Sequence, residues 1–125
     1  MRQFEIKVEN KIGSLAEVCD IISKSGVNIT AIATEDKGDH GIIKVITENE
    51  DLTRSALTIS DMEFKEFEVV PVRLRDQPGE LAKLSRALAN LGIDVQSVFV
   101  LGKDKGTTEI VFKVDNLEKA RELLE

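Results

Sequence analysis

The first 26 residues show one strand pattern followed by one helix pattern. Hydrophobic and charged side chains alternate over residues 4–8, which is the period of a half-buried β-strand. Ser14 is predicted to cap a helix, with Glu17 completing a capping box, and Gly26 to end it in the left-handed conformation. The apolar face of this helix is assigned to Leu15, Val18, Cys19 and Ile22.

The same patterns continue to the end of the chain. They predict strands at 28–34, 42–47 and 62–67 around a helix at 49–59, then a strand at 70–74, a helix at 80–91, strands at 94–101 and 108–114, and a helix at 117–124. Turns are expected at 36–41 and 102–106. The second long helix is predicted to bury a stripe formed by Leu81, Leu84, Leu88 and Leu91.

Residues 8–32 and 74–98 are two copies of one pattern, displaced by a constant 66 positions. A fixed internal period indicates two copies of one supersecondary unit. The first copy reads β-α-β-β-α-β, and the second lacks its fourth strand. We therefore predict an α+β protein of two ferredoxin-like units placed side by side, 1–68 and 69–125, each an antiparallel sheet with both helices on one face. The strand at 70–74 would keep an open edge, for residues 63–74 or a second chain to cover.

Composition narrows the function classes. The 125 residues carry a formal net charge of −6, with a sequence pI near 4.9. This balance argues against nucleic-acid and anionic-membrane partners, which require a basic face. One cysteine excludes an internal disulfide, and no signal peptide or long apolar run is visible. We expect a cytoplasmic protein.

Candidates for catalysis are few. The one histidine, His40, lies in a predicted turn, where a solvated polar residue is expected rather than a base. Cys19 is interpreted as a small buried hydrophobe, and no Cys-x-x-Cys pair suggests a metal site. Residues 102–106 join two strands, so they form a hairpin turn rather than a phosphate cradle. No catalytic residue, metal or cofactor is predicted.

The loop between the first strand and the first helix of each copy carries the most informative chemistry. The repeated positions are Asn10, Gly13 and Asn28 in the first copy and Asp76, Gly79 and Asp94 in the second. Unpaired amides at the helix start can hold a carboxylate, while side-chain oxygens beside them can accept from an ammonium group. That is the complement of an α-amino acid. The alternative is that these residues only form turns and helix exits.

These residues resemble the ACT domain, a small regulatory module of amino-acid metabolism. The pattern is Asn/Asp, two residues, Gly-x-Leu, a helix and Gly-Val/Ile-Asn-Ile. It is present as D-Q-P-G-E-L at 76–81 with G-I-D-V at 92–95, and as N-K-I-G-S-L at 10–15 with G-V-N-I at 26–29. The first copy has Ile12 where the family usually has proline.

The resemblance implies that the units pair edge to edge and that an effector amino acid binds between the loop of one unit and the second strand of its neighbour. The residues assigned to ligand binding are Asn10, Lys11, Ile12, Gly13, Ser14, Leu15, Asn28, Ile29, Asp76, Gln77, Pro78, Gly79, Glu80, Leu81, Asp94 and Val95. Serine-sensing members carry asparagine at the positions of Asn10 and Asn28. They also carry a histidine where this chain has Val8 and Leu74, so serine specificity is not supported. Two carboxylates, Asp76 and Asp94, would repel the carboxylate of an amino acid.

The resulting hypothesis is a regulatory protein without catalytic activity that binds an amino acid and acts on a partner enzyme or through self-association, as a homodimer. A structural module that only dimerises or scaffolds is the alternative. An acyl phosphatase is a third interpretation, but it needs an arginine–asparagine phosphate site, and loops 9–14 and 75–80 offer only Arg75.

Overall fold

The computed structural model describes residues 1–124 and contains the predicted elements in the predicted order. They are β1 (Arg2–Val8), α1 (Ser14–Lys24), β2 (Ile29–Asp36), β3 (Gly41–Thr47), α2 (Glu50–Ile59), β4 (Glu63–Glu68), β5 (Val70–Arg75), α3 (Glu80–Asn90), β6 (Val95–Asp104), β7 (Thr107–Val114) and α4 (Leu117–Leu124). The α+β prediction with its repeated ferredoxin-like unit is confirmed. The chain divides into two compact units, one of Arg2–Phe67 and one that runs from Glu68 onward and includes Met1.

The first unit is a four-stranded sheet in the order β2-β3-β1-β4. Residues Phe4 and Ile6 of β1 face the helices and are fully buried, and they pack with residues of β3, α1 and α2. The members of this core are Phe4, Ile6, Val18, Ile22, Val27, Ile43, Val45 and Leu57. Burying side chains of this size stabilises a fold by about 1.5–3 kcal/mol each.

An ion-pair cluster joins β4 to β1 and α2. Glu66 accepts from Arg54 Nε and Nη2 at 2.6 and 2.7 Å, and from Arg2 Nε at 2.6 Å. The paired guanidinium groups, Arg54 first, lower the pKa of the Glu66 carboxyl. Bidentate pairing of this kind has a restricted geometry, so it sets the position of β4 beside β1.

The second unit has three strands in the order β5-β7-β6 among the described residues. Its core is formed by Leu88, Ile93, Ile110, Phe112 and Ala120. The predicted absence of a fourth strand is confirmed for residues 1–124, and β5 is an edge strand that pairs with β7 alone.

The predicted start of the first helix is wrong in detail. Gly13, with φ 94°, is the N-cap residue, and no side chain caps this helix. The hydroxyl of Ser14 instead donates to the carbonyl of Glu9 at 2.7 Å, so there is no capping box with Glu17. Gly79 has the same role and conformation in the second unit, with φ 87°. Gly26 is left-handed, as predicted.

The predicted helix faces are wrong at their N-terminal ends. Ser14, Val18 and Ile22 are the buried residues of α1, whereas Leu15 is 45% exposed and Cys19 is half-buried. Leu81, at the same repeat position as Leu15, is also exposed. Helix α1 is rotated so that residues four apart are buried, and Leu15 lies beside the loop residues Asn10 and Lys11.

The second hairpin is tighter than predicted. Strand β6 continues to Asp104, and the turn is formed by Lys105 and Gly106, with φ 46° and 79°. Two consecutive residues with positive φ make a type I′ turn, which matches the twist of the flanking strands. Residues 102–104 therefore belong to a strand rather than to the turn. No helix among the described residues is long and apolar enough to cross a membrane.

Candidate functional site

The loop between β1 and α1 is held in a compact turn by backbone contacts. Lys11 N donates to Glu9 O at 3.0 Å, and Ser14 N to Lys11 O at 3.4 Å. The left-handed Gly13 then directs the chain into α1. The next N–H groups of the first helical turn, those of Leu15 and Ala16, have no acceptor within the helix, so they are the amide donors that this loop can offer to a ligand.

Asn10 joins this loop to the hairpin between β2 and β3. Its Nδ2 donates to Asp36 Oδ1 at 2.9 Å and to Gly38 O at 3.0 Å. Asp36 Oδ1 also accepts from Gly38 N at 2.8 Å. Since a carboxylate and a carbonyl can only accept, the two hydrogens of the Asn10 amide must point toward the hairpin, and its oxygen points elsewhere.

An open cavity of about 180 Å³ lies beside this contact. Its lining consists of Val8, Glu9, Asn10, Lys11, Ser14, Leu15, Thr34, Glu35, Asp36, Gly41, Ile42 and Ile43. The volume corresponds to about six water molecules, which suits a small metabolite rather than a nucleotide. Apolar side chains and a few charged groups therefore surround a space next to the start of α1.

Glu35 and Asp36, two carboxylates of the cavity lining, differ in the groups that stabilise their negative charge. Glu35 accepts from Lys44 Nζ at 2.7 Å and from Lys37 Nζ at 2.9 Å. These two ammonium groups, Lys44 first, lower the pKa of the Glu35 carboxyl from 4.5 to about 2. Asp36, in contrast, is held by the neutral donors of Asn10 and Gly38, so its negative charge is stabilised by hydrogen bonds without a bound cation at those contacts.

The other sequence-predicted residues of the first unit lie at the opposite end of the sheet. Val8 pairs with Gly41 at one end of β3, and Ile29 pairs with Thr47 at the other. Six residue steps separate these ends, which is about 20 Å at 3.3–3.4 Å per residue. Asn28 and Glu48 are joined by two contacts, Asn28 N to Glu48 Oε1 and Glu48 N to Asn28 O, each 3.2 Å. Asn10 and Asn28 of one unit therefore cannot contact one small ligand.

The strand–helix loop of the second unit has the same backbone turn as the first loop, but its first side chain accepts a hydrogen bond where Asn10 donates. Asp76 N donates to Gly106 O at 2.8 Å, and the Asp76 carboxylate accepts from Lys103 Nζ at 3.2 Å. The side chain of Asn10 thus donates to its hairpin, whereas the side chain of Asp76 accepts from its hairpin. The remaining loop residues, Gln77, Pro78, Gly79, Glu80 and Leu81, form the same turn into a helix.

The second-strand positions of this unit again lie far from its loop. Asp94 N donates to the carboxylate of Asp115 at 2.9 Å, as Asn28 does to Glu48. Arg75 pairs with Thr107 at one end of β7, whereas Val95 pairs with Val114 at the other end. Seven residue steps separate these ends, so Asp76 and Asp94 are about 23 Å apart by the same measure.

Glu35 and Asp36 line the cavity but were not among the predicted site residues: the predicted strand ended at residue 34, and Asp36 was assigned to a turn. The Asp-x-Gly spacing of Asp36 and Gly38 was the available signal, because aspartate commonly accepts from the amide two residues later. Lys103 was assigned to the predicted hairpin turn, and its contact with Asp76 was not predicted. Asp36 and Lys103 reach their loops through the pairing of strands, which local patterns do not specify.

His40, the histidine weighed for catalysis, contacts its neighbour Asp39. Nδ1 of His40 lies 2.6 Å from Oδ1 of Asp39, and this contact lowers the pKa of the Asp39 carboxyl. Neither residue lines the cavity beside Asn10. Within residues 1–124, no group of three or more His, Cys, Asp or Glu side chains is arranged to bind a metal ion.

Comparison with known proteins gives one family and several structural relatives. A family model described as an ACT domain pair matches residues 1–125. The crystal structure of protein BT0572 from Bacteroides thetaiotaomicron is similar at a TM-score of 0.89 and 27% identity, over 98% of this chain and 85% of that chain. The ligand-free regulatory subunit of aspartate kinase from Thermus thermophilus has a TM-score of 0.71 at 16% identity, over 98% and 87% of the two chains.

A curated relative matches only in part. The uncharacterized protein MJ0241 of Methanocaldococcus jannaschii is 37% identical over 60 residues, which are 48% of this chain and 41% of that protein. The chain thus covers less than half the length of that relative.

Proposed function

This chain belongs to the ACT domain pair family, and we propose that it is a regulatory protein that binds a free α-amino acid at the strand–helix loop of its first unit. The observation that carries the proposal is the cavity of about 180 Å³ between the start of α1 and Asp36. Amide donors at the start of α1, two carboxylates of the β2–β3 hairpin and apolar side chains all line this one space.

The two charged groups of an amino acid have separate partners in this arrangement. The ligand carboxylate would accept from the first-turn amides of α1, where the positive end of the helix dipole also favours an anion. The ligand ammonium group would donate to the Asp36 carboxylate and the Asn10 amide oxygen. Leu15 and Ile43 offer apolar contact to the ligand side chain.

The proposal gives the two loops different roles. The Asp76 carboxylate already accepts from the ammonium group of Lys103, whereas Asp36 is held by neutral donors. A zwitterion is therefore expected to bind at the first loop with higher affinity than at the second.

Regulation is proposed to act on a metabolic enzyme or through self-association, with no catalysis by the chain itself and no cofactor. Two observations support this proposal: membership of the ACT domain pair family and a fold shared with regulatory subunits of aspartate kinase. We place the protein in the cytoplasm, where free amino acids and such enzymes occur together.

The binding test is a thermal-shift screen of the twenty amino acids, followed by calorimetry on those that raise the melting temperature. At a concentration of 100 times its Kd, a ligand stabilises the folded state by about 2.7 kcal/mol, which a screen readily detects. Asn10→Ala should lose this response. If no amino acid stabilises the protein at millimolar concentration, the proposal is wrong.

An exchange of polarity at the first loop tests the role of Asn10 and Asp36. Asn10→Asp places two carboxylates within hydrogen-bonding distance, so we expect ligand affinity to fall at least tenfold. The double variant Asn10→Asp/Asp36→Lys reproduces the carboxylate–ammonium pair of Asp76 and Lys103. We expect it to be more stable than Asn10→Asp alone, but not to regain ligand binding. Asp76→Asn is the matched control in the second unit, and should leave binding at the first loop unchanged.

A scaffold without a ligand is the second candidate function. It is favoured by Ile12, which is fully exposed at the tip of the same loop and is suited to contact with another protein. Replacement of Ile12 by serine distinguishes the two candidates, because a scaffold would lose its partner and an amino-acid sensor would keep its ligand.

A further inference from the structure

The outer edge of β5, the side that does not face β7, lacks a strand partner among residues 1–124. In the first unit, the same edge of β1 is occupied by β4. Over residues 1–124, the two sheets thus differ at one position, because the second sheet has no counterpart of β4 there. An edge strand exposes backbone N–H and C=O groups that can pair with another segment.

The backbone contacts show which residues of β5 point to this edge. Asp76 N donates to Gly106 O, so even-numbered residues of β5 direct their amides toward β7. Since successive residues alternate, the groups of Pro71, Arg73 and Arg75 point outward. Pro71 has no N–H to donate, and proline is tolerated on an outer edge for that reason.

The open part of the edge is five residues long. At its N-terminal end, Met1 O accepts from Val69 N at 3.1 Å, and the segment from Pro71 to Arg75 follows. Five strand residues span about 17 Å, the length of a short strand of five or six residues. The side chains of Val72 and Leu74 lie on the face of the sheet that packs against the core of this unit, and Val70 is buried.

Charges on this strand indicate the chemistry of its partner. Arg73 and Arg75 are both exposed; on β7, Arg73 is opposite Glu109, at 3.5 Å, and Arg75 is opposite Thr107. In the first unit, Lys7 holds the repeat position of Arg73 and lies 3.7 Å from Glu63 of β4. The strand that covers this edge in the first copy has the sequence E-F-K-E-F-E.

We propose that the outer edge of β5 binds an extended acidic segment of a partner polypeptide, which completes the second sheet as β4 completes the first. A second copy of β5 does not suit this edge. Antiparallel self-pairing centred on Arg73 would place Arg73 opposite Arg73, and like charges in opposite positions destabilise a strand pair. This inference does not depend on amino-acid binding at the first loop.

The test uses a fluorescein-labelled peptide of residues 62–69, M-E-F-K-E-F-E-V, as the model acidic strand, with the full chain as receptor. We expect saturable binding by fluorescence anisotropy that weakens as salt is raised. A peptide with every Glu and Lys exchanged should bind at least fivefold more weakly. Hydrogen exchange should slow at the amides of Arg73 and Arg75 and remain unchanged at Val72 and Leu74.

Three variants locate the binding site. Arg73→Glu and Arg75→Glu should each reduce affinity for the acidic peptide about fivefold or more, and the second is informative even if the first destabilises the pair with Glu109. Arg86→Glu makes the same charge change on exposed α3 and should leave affinity within twofold. Equal binding of both peptides, or no protection at Arg73 and Arg75, would overturn the proposal. Protection of these amides in the free protein through self-association would instead identify a second copy as the occupant, and would overturn it too.

Discussion

At the residue level, Asn10 and Asp76 show how one substitution changes the chemistry of a repeated loop. Each residue follows the first strand of its unit, and its side chain contacts the hairpin of that unit. The side chain of Asn10 donates to Asp36, whereas the side chain of Asp76 accepts from Lys103. Each residue is matched to its partner, since a carboxylate at position 10 would face another carboxylate. The pairs therefore have to change together, and the two copies are chemically different at the position where a ligand would bind.

The ion pairs of Glu35 predict a specific pH dependence of stability. The folded-state pKa of about 2 lies below the ordinary 4.5, chiefly because of hydrogen bonds from Lys44 and then Lys37. The stabilisation is complete above pH 4.5, declines as pH falls toward 2, and is absent below it. Because more than a third of the Glu35 side chain is exposed, we expect only about 0.5–1 kcal/mol.

Urea denaturation of wild type and Glu35→Gln measures this effect. The variant should be less stable by that amount at pH 7, and the difference should vanish near pH 2. Lys37→Met, which removes one of the two ammonium groups, should raise the pKa of the Glu35 carboxyl part of the way to 4.5 in an NMR titration. If the stability difference persists at pH 2, it arises from packing rather than from the ion pairs of Glu35.

At the element level, the starts of α1 and α3 depend on glycine rather than on a capping side chain. Gly13 and Gly79 are left-handed at the N-cap, with φ of 94° and 87°. The helix α2 begins differently, since Asn49 accepts from Leu52 N at 3.0 Å. The two glycine starts leave first-turn amides without a side-chain acceptor from the cap, which is the property that the proposed carboxylate site requires.

Substitution of Gly13 tests the backbone conformation at this helix start. No atom lies within 4 Å of a Cβ built there, so the cost of Gly13→Ala is conformational, about 1–2 kcal/mol for a left-handed residue. Gly13→Asn should cost less, because asparagine adopts this conformation more readily. Gly102→Ala, which also has open space and an ordinary φ, is the control and should change the free energy of unfolding by less than about 0.5 kcal/mol. Equal stability of Gly13→Ala and the control would contradict this account.

At the level of the whole molecule, duplication leaves matching apolar residues exposed in both units. Leu15 and Ile32 in the first unit correspond to Leu81 and Val98 in the second, and each is 41–45% exposed. Ile32 lies on β2, an edge strand of its sheet, next to Thr34 of the cavity lining. Repeated exposure of apolar side chains beside a sheet edge favours contact with another copy.

A charge on this surface should therefore weaken the expected homodimer. Ile32→Asp is expected to raise the dimer Kd at least tenfold, because burying an isoleucine side chain contributes about 1.5–3 kcal/mol. Ile59→Asp places the same substitution on α2, where the isoleucine is 85% exposed, and should not change association. Light scattering and sedimentation across a concentration series measure both. A wild-type protein that is monomeric throughout would contradict the prediction.

The candidate site was predictable in part. The positions of Asn10 and Gly13 follow from the repeat, because a polar residue and a glycine before a helix have local meanings that survive folding. Asp36 and Lys103 did not follow, since their contacts with the loops cross 26 and 27 residues of sequence. The burial of Leu15 was also predicted wrongly, because spacing defines a helical stripe but not the rotation of the helix against the sheet.

The sequence was sufficient to predict the duplication, the order of the strands and helices, the glycines that follow α1 and α3, and three strands for the second unit over residues 1–124. These properties depend on short-range periodicity and on the backbone freedom of glycine, which act within a few residues. Only the tertiary structure decided which hairpin residue meets each loop, that Asn10 and Asn28 of one unit are about 20 Å apart, and which side of β5 is open. Those depend on strand register and helix rotation, and both are set by packing between residues that are distant in the chain.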